Sequence, residues 1–86
     1  MIHNLTQWRQ RGEACADTVL RADPSAAGQL VTLDESDGVL DHLGLWGDDQ
    51  CDAELRAAGL DATEEHRDAV RAAAREGYVE TMERRA

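Results

Sequence analysis

The sequence predicts an all-α domain, a compact bundle of four or five helices. Apolar residues recur at helical spacing in the first and the last part of the chain. Between these parts, Asp, Ser, Pro and Gly residues mark successive helix starts and ends. With 86 residues, the chain is expected to form one domain, residues 1–86, with a modest core.

The first predicted helix runs from about Asn4 to Arg21. Asn4 is a good N-cap, and Gln7 stands three residues later as its reciprocal partner. Gly12 falls on the apolar stripe, where it costs about 1 kcal/mol relative to Ala but lets another helix approach closely. The other members of the stripe are Leu5, Trp8, Cys15, Ala16 and Val19.

The stretch after this helix has two interpretations. Asp23 followed by Pro24 stops one helix and starts another, which predicts a short second helix over residues 24–33. The alternative is a short strand, one of a pair near residues 29–33, because β-branched residues fit a pleated surface. Residues 34–38 are then predicted to form a polar turn, and residues 39–46 a helix that Gly47 ends.

Two further helices complete the bundle. Asp48 and Asp49 are expected to cap a helix that reaches Ala58 and ends in a Schellman motif, with Gly59 at C′ and Leu60 at C″.

The last helix is predicted to start at either Asp61 or Thr63 and to run to about Arg84. Its predicted inward stripe contains His66, Val70, Ala73, Ala74, Gly77, Tyr78 and Met82. Its outer face carries three arginines that should pair with acids of the same helix, namely Arg67, Arg71 and Arg75.

Charge is distributed unevenly along the chain. The formal net charge is −9, from 18 acids and 9 bases, and every base is Arg. No base lies between Arg21 and Arg56, whereas nine acids do, so this acidic middle carries the entire net charge. Its members are Asp23, Asp34, Glu35, Asp37, Asp41, Asp48, Asp49, Asp52 and Glu54.

Helix capping accounts for about half of these acids, because negative charge is favoured at helix N-termini. Four have no such role: Asp37, Asp41, Asp52 and Glu54. On a helix, residues three or four apart have Cβ atoms ~5–6 Å apart, and Asp34, Asp37 and Asp41 have that spacing, as do Asp48 and Asp52. Such a row resembles the phosphates of a nucleic-acid strand and predicts docking on an Arg- or Lys-lined surface. A solvated acidic face is the alternative.

Trp46 lies within the acidic middle. Core packing against Leu40 and Leu43 is the favoured interpretation, but a partly exposed tryptophan ringed by acids would be an anchor for a protein partner. The predicted partner-binding set therefore comprises Asp34, Glu35, Asp37, Asp41, Trp46, Asp48, Asp49, Asp52 and Glu54.

The composition excludes several classes of ligand and location. Phosphate binding needs Lys and Arg, so neither direct nucleic-acid binding nor an anionic membrane surface is expected. No stretch approaches the ~20 apolar residues of a membrane span, and residues 1–5 lack the features of a signal peptide. A cytoplasmic protein is expected, in the host cytoplasm if it is phage-encoded. Cys15 and Cys51 should be reduced and buried as small hydrophobic side chains.

The sequence predicts no catalytic residues, metal site or cofactor. The His and Cys residues form no CxxC or HxxxH pair. An EF-hand with Gly38 at its sixth position would have Leu33 and Gly44 where acids are needed. Cys51 and His42 have the residue types for nucleophilic catalysis but lack a Gly-rich turn or an oxyanion device. We therefore expect no enzyme.

Together these features predict a non-enzymatic inhibitor or regulator whose acidic middle occupies a basic surface of a nucleic-acid-binding protein. In size and charge the chain resembles small acidic proteins of phages and mobile elements, among them anti-CRISPR proteins and DNA-mimicking anti-restriction proteins. The resemblance implies a target in the nucleic-acid-handling machinery of a host. Three alternatives stay open: a helical assembly module that dimerises through residues 73–78, a small metal-binding domain using Cys and His, and an acidic surface adapted to high salt without a partner.

Overall fold

The structure, a computed structural model, describes residues 5–28 and 31–84. In these ranges it contains no strand, which confirms the all-α prediction, and it forms four α-helices and one short 3-10 helix. The α-helices are α1 (Thr6–Ala22), α2 (Leu33–His42), α3 (Asp48–Ala57) and α4 (Glu64–Arg84), and the 3-10 helix is Pro24–Ala26. None of the helices in the described ranges combines the length and apolar character that a membrane span requires.

The two long helices, α1 and α4, form the largest helix–helix interface and touch through glycine. A Cβ added at Gly12 would overlap the carbonyl oxygen of Ala74 and lie 2.9 Å from the backbone nitrogen of Tyr78. A Cβ added at Gly77 would overlap the carbonyl oxygen of Arg9. Because these obstacles are backbone atoms, the helices reach this separation only with glycine at both positions. The close approach predicted at Gly12 is confirmed.

α1 and α4 run in the same direction. Leu5, next to the start of α1, lines a shallow cleft together with Ala69 in the first half of α4. Gly28, beyond the end of α1, donates a 2.9 Å hydrogen bond to the carbonyl oxygen of Met82 near the end of α4. The glycine contact therefore lies where the two helices cross.

The core consists of two apolar clusters, one on each side of this crossing. The first takes residues that precede Gly12 and Gly77 in the long helices, joined by α2, α3 and their connection: Trp8, Leu40, Leu45, Cys51, Leu55, Val70, Ala73 and Ala74. The second takes residues that follow the two glycines, joined by α2: Ala16, Leu20, Val39, Tyr78 and Met82. The predicted inward stripe of the last helix is buried apart from His66, which is half-buried.

This burial has a consequence for the dimer predicted through the small residues of the last helix. Ala73, Ala74, Gly77 and Tyr78 are all buried within the chain itself, mainly by α1. The face that the sequence offered for a homodimer is therefore already covered.

The described residues of the segment 24–33 do not form the predicted second helix. Asp23 caps only the 3-10 helix, where its Oδ1 accepts hydrogen bonds from the backbone and hydroxyl of Ser25. The strand predicted near residues 29–33 is wrong for the residues that the structure describes there. Val31 and Thr32 are not in a strand, and Leu33 is the first residue of α2. Residues 29 and 30, like the predicted N-cap Asn4, lie outside the described residues.

α2 begins earlier than predicted and includes residues 34–38, which were predicted to be a turn. Thr32 is the cap, since its Oγ1 accepts a hydrogen bond of 3.2 Å from the backbone of Glu35. Ser36 is buried and its hydroxyl donates to the carbonyl oxygen of Leu33, so a polar residue occupies the inner face at little cost. The polar composition of the segment thus forms the outer face of a helix.

Glycine residues determine where the short helices end. α2 ends at His42 in a Schellman motif, in which Gly44 has φ +73° and the backbone N–H of Leu45 donates a 2.8 Å hydrogen bond to the carbonyl oxygen of Leu40. The predicted helix end at Gly47 is wrong, because Gly47 is the N-cap of α3 and Asp48 and Asp49 lie in its first turn.

The Schellman motif predicted at the end of the next helix is confirmed. Gly59 has φ +78°, and its backbone N–H donates a hydrogen bond to the carbonyl oxygen of Arg56. The backbone N–H of Leu60 donates to the carbonyl oxygen of Leu55. Of the two caps proposed for α4, the structure uses Thr63, whose Oγ1 accepts from the backbone of His66 over 3.1 Å.

Glycine-to-alanine substitutions should have opposite effects at different sites. We expect Gly12→Ala and Gly77→Ala each to lower the free energy of unfolding by about 3 kcal/mol, because α1 and α4 must separate. Gly38→Ala, at an exposed site in α2 with no atom within 4 Å of the new Cβ, should raise it by about 0.5–1 kcal/mol. Urea denaturation followed by circular dichroism measures the free energy of unfolding of each variant. Equal changes at the three sites would contradict the close contact between α1 and α4 at Gly12 and Gly77.

Candidate functional site

The structure divides the predicted partner-binding acids into two groups. Four form ion pairs with arginines of α1 and α4: Asp37, Asp48, Asp52 and Glu54. The other four form no ion pair within the described residues: Asp34, Glu35, Asp41 and Asp49. Only the second group is free to meet the charge of another molecule.

Three arginines of α4 hold the short helices. Arg67 donates to Asp52 over 2.9 Å, Arg71 donates to Asp48 over 2.9 Å, and Arg75 donates to Asp37 over 3.0 Å. The hydrogen bond to Asp52 raises the pKa of Arg67. These arginines were predicted to pair with acids of their own helix, and that prediction is wrong. Their spacing of four residues places them on one side of α4, which faces α2 and α3.

A fourth arginine joins α3 to α1. Arg11 donates to the carboxylate of Glu54 over 2.7 Å. Its guanidinium also stacks on the ring of Trp8, with 4.5 Å between its central carbon and the ring centroid. Ion pairs as well as apolar contacts therefore hold both short helices, α2 and α3, against the long helices α1 and α4.

Arg71 also fixes the connection between α2 and α3. Its Nε donates to the carbonyl oxygen of Leu45 over 2.7 Å, and a terminal nitrogen donates to that of Trp46 over 3.1 Å. Together with the bond to Asp48, one guanidinium thus joins three consecutive parts of the chain. The guanidinium group can bind these three acceptors together because its N–H donors lie in one plane and point in different directions.

Trp46 is exposed, and the interpretation that it packs in the core is wrong. Its exposed fraction is 53%, while the neighbouring Leu45 is completely buried. The Schellman turn at Gly44 explains the difference, because it brings the residue at C″ back against its own helix and leaves the next residue outside. Among the residues that the structure describes, Leu33, at the start of α2, is the other large apolar side chain that is exposed, at 73%.

The free acids lie close to these exposed apolar residues in the chain. Asp34 and Asp41 are two helical turns apart on the outer face of α2, opposite the buried Ser36, Val39 and Leu40. Asp49 is exposed in the first turn of α3. We call the set Leu33, Asp34, Asp41, Trp46 and Asp49 the α2 surface. The row of carboxylates predicted along residues 34, 37 and 41 is interrupted, since Asp37 is half-buried against Arg75.

The thiols show no sign of activation. Both cysteines are free, and burial raises the pKa of Cys15 and of Cys51. A nucleophilic cysteine needs the opposite shift. Cys51 is completely buried, whereas Cys15 is only half-buried. In residues 5–28 and 31–84, no three His, Cys, Asp or Glu residues come together as a metal site. His3 lies outside these residues.

The ion pairs of Asp48 should make stability depend on pH. The hydrogen bond from Arg71 and the charge of Arg67 lower the pKa of Asp48. A carboxyl with a lowered pKa stabilises the fold above its ordinary pKa of about 4, and this contribution is lost as the pH falls through the pKa of the folded state. The difference in Tm between wild type and Asp48→Asn should therefore be constant from about pH 6 to 8 and disappear towards about pH 2.

Asp49→Asn is the control for this experiment, because it removes the same charge from the same helical turn without breaking an ion pair. If the Tm difference caused by Asp48→Asn persisted unchanged at low pH, the ion pairs would not be its origin.

Comparisons with known proteins leave the geometry as the basis for assigning a function. No protein-family model, no curated protein and no solved structure matches this chain.

Proposed function

We propose that this protein is a non-enzymatic inhibitor or regulator that binds a basic surface of a nucleic-acid-binding protein through the α2 surface. The observation that carries the proposal is the exposed side chain of Trp46 on a connection whose backbone is held in place. Tryptophan is among the residues that contribute most to protein–protein affinity when a partner buries it.

The backbone that carries the anchor is held in place without a partner. Leu45 is buried directly before Trp46, and Arg71 binds the carbonyl oxygens of both residues. Ordering a loop on binding costs affinity, so a connection that is already fixed retains more of the energy of its contacts. This favours a role for the indole ring as a preorganised contact.

The unpaired acids that neighbour Trp46 in the sequence select the kind of partner. Asp34, Asp41 and Asp49 form no ion pair within the described residues. The arginines of α4 that reach α2 and α3 are engaged with Asp37, Asp48 and Asp52, so acids of the same chain already balance their charge. This surface would repel nucleic acid and attract a cluster of Lys and Arg. Proteins that bind nucleic acid carry such clusters, and the small acidic phage inhibitors that the chain resembles in size and charge target proteins of this kind.

The contact we propose is a mixed acidic and apolar surface rather than a complete imitation of a phosphate row. Asp37, Asp48, Asp52 and Glu54 are engaged with arginines of the same chain, so a partner would have to break these pairs to use them. Leu33 and Trp46 add apolar area that a phosphate row lacks. The free acids would accelerate and orient the encounter, and Trp46 would supply most of the affinity.

A capture experiment tests the proposal. Tagged protein is incubated with lysate of the host cell, eluted with stepped salt, and the captured protein is identified and purified. We expect a nucleic-acid-binding protein released at moderate salt. Trp46→Ala should weaken its binding by about 30-fold. The triple variant Asp34→Lys, Asp41→Lys, Asp49→Lys should slow its association.

The matched control reverses three exposed acids on the outer face of α4, with the variant Glu65→Lys, Asp68→Lys, Glu83→Lys. Because the net charge changes equally, this control should bind normally if the α2 surface is the site. Equal losses in both triple variants would indicate non-specific charge attraction. Unchanged binding by Trp46→Ala would exclude this tryptophan as the anchor.

A further inference from the structure

A second feature of the molecule lies on the other flank of α2, between α2 and α1. A cleft of about 290 Å³ opens there, and most of its lining is apolar. Val19 and Cys15 of α1 and Val39 of α2 form its walls, with Tyr78 of α4 also in the lining. Gly38 contributes no side chain, and the space where its Cβ would stand is empty. The volume lies at the small end of the range of about 300–1,000 Å³ that is typical of ligand sites.

The cleft contains a polar group without a partner. Tyr78 is only 4% exposed, and its hydroxyl forms no hydrogen bond within the described residues. Burial raises the pKa of Tyr78, and the charges of Glu35 and Cys15 raise it further. The phenol therefore lies close to two other cleft residues. The hydroxyl is not among the completely buried polar atoms that lack a hydrogen-bond partner, so its oxygen keeps some access to solvent and to a ligand in the cleft.

The charge of the cleft favours a cation. Glu35 is the only carboxylate in its lining, and it forms no ion pair within the described chain. No Arg lines the cleft, and the nearby Arg11, which lines the adjoining groove, is engaged with Glu54 and Trp8. The basic side chain in the lining is His42. A carboxylate or phosphate ligand would therefore meet one imidazole and no guanidinium, whereas a protonated amine would find a carboxylate in Glu35.

From these features we infer that the cleft between α1 and α2 binds a small organic amine, with its apolar part against Val19, Val39 and Tyr78 and its ammonium group on Glu35. The hydroxyl of Tyr78 accepts a second hydrogen bond from the ammonium group. This site is separate from the α2 surface, so it does not depend on the proposed protein partner.

Phenethylamine is a suitable probe because 3-phenylpropionate carries a similar apolar part with the opposite charge. Two readouts are available in the intact protein: the backbone amide signals of Gly38 and Val39 in NMR spectra, and the rate at which N-ethylmaleimide alkylates Cys15. Cys51 is completely buried and serves as the internal reference for alkylation. We expect phenethylamine to shift both signals and to protect Cys15 with a Kd of about 1 mM. 3-Phenylpropionate should bind at least about tenfold more weakly.

Three variants make the test specific. Glu35→Gln should abolish the preference for the amine, and Gly38→Leu should block the cleft and remove binding altogether. Asp34→Asn removes a neighbouring carboxylate that does not line the cleft, and it should bind phenethylamine normally. Equal binding of amine and carboxylate, unchanged preference in Glu35→Gln, or no response to phenethylamine in wild type would each overturn the inference.

Discussion

The contact between the backbones of α1 and α4 at Gly12 and Gly77 is the constraint on which the rest of the structure depends. Small residues accompany this close approach, among them Ala16, Ala73 and Ala74. Trp8 and Tyr78 also neighbour the contact, and their large side chains pack into the clusters on its two sides. The crossing thus creates two modest cores in place of one large core, and each needs a short helix to close it.

The uneven charge of the sequence follows from this arrangement. α2 and α3 bury only three and two residues respectively, too few to hold a ten-residue helix by apolar contact alone. Arginines of the long helices therefore meet acids of the short ones. An isolated exposed ion pair contributes at most about 1 kcal/mol, but several pairs that share partners act together. Asp52 is largely buried where Arg67 meets it, and Asp48 joins Arg67 to Arg71. Half of the acids of α2 and α3 thus serve the fold.

The features that could be predicted from the sequence are those decided by neighbouring residues. Gly59 followed by Leu60 defines a helix end locally, and Gly12 on an apolar stripe indicates a close helix contact. Features decided by distant residues were missed. Residues 34–38 have the composition of a turn, and only the burial of Val39 and Leu40 against other helices makes them helical. The arginines of α4 had acids available both within their helix and outside it. Spacing alone could not choose between them, although the absence of bases between Arg21 and Arg56 was a signal of the outside pairs.

The exposed apolar residues Leu33 and Trp46 differ in how the fold presents them. Leu33 alone would need no explanation, because single exposed apolar residues are common. Trp46 differs, since three donors of Arg71 fix the connection that presents it. For folding, Leu45 must be buried and Asp48 must pair with Arg71. A polar residue at position 46 would allow both, because Arg71 binds only the backbone carbonyl oxygen of that residue. The indole ring adds exposed apolar area without closing either core cluster. The proposed contact with another molecule would give that side chain a physical purpose, and the unpaired acids on either side of it in the chain would favour a positively charged partner.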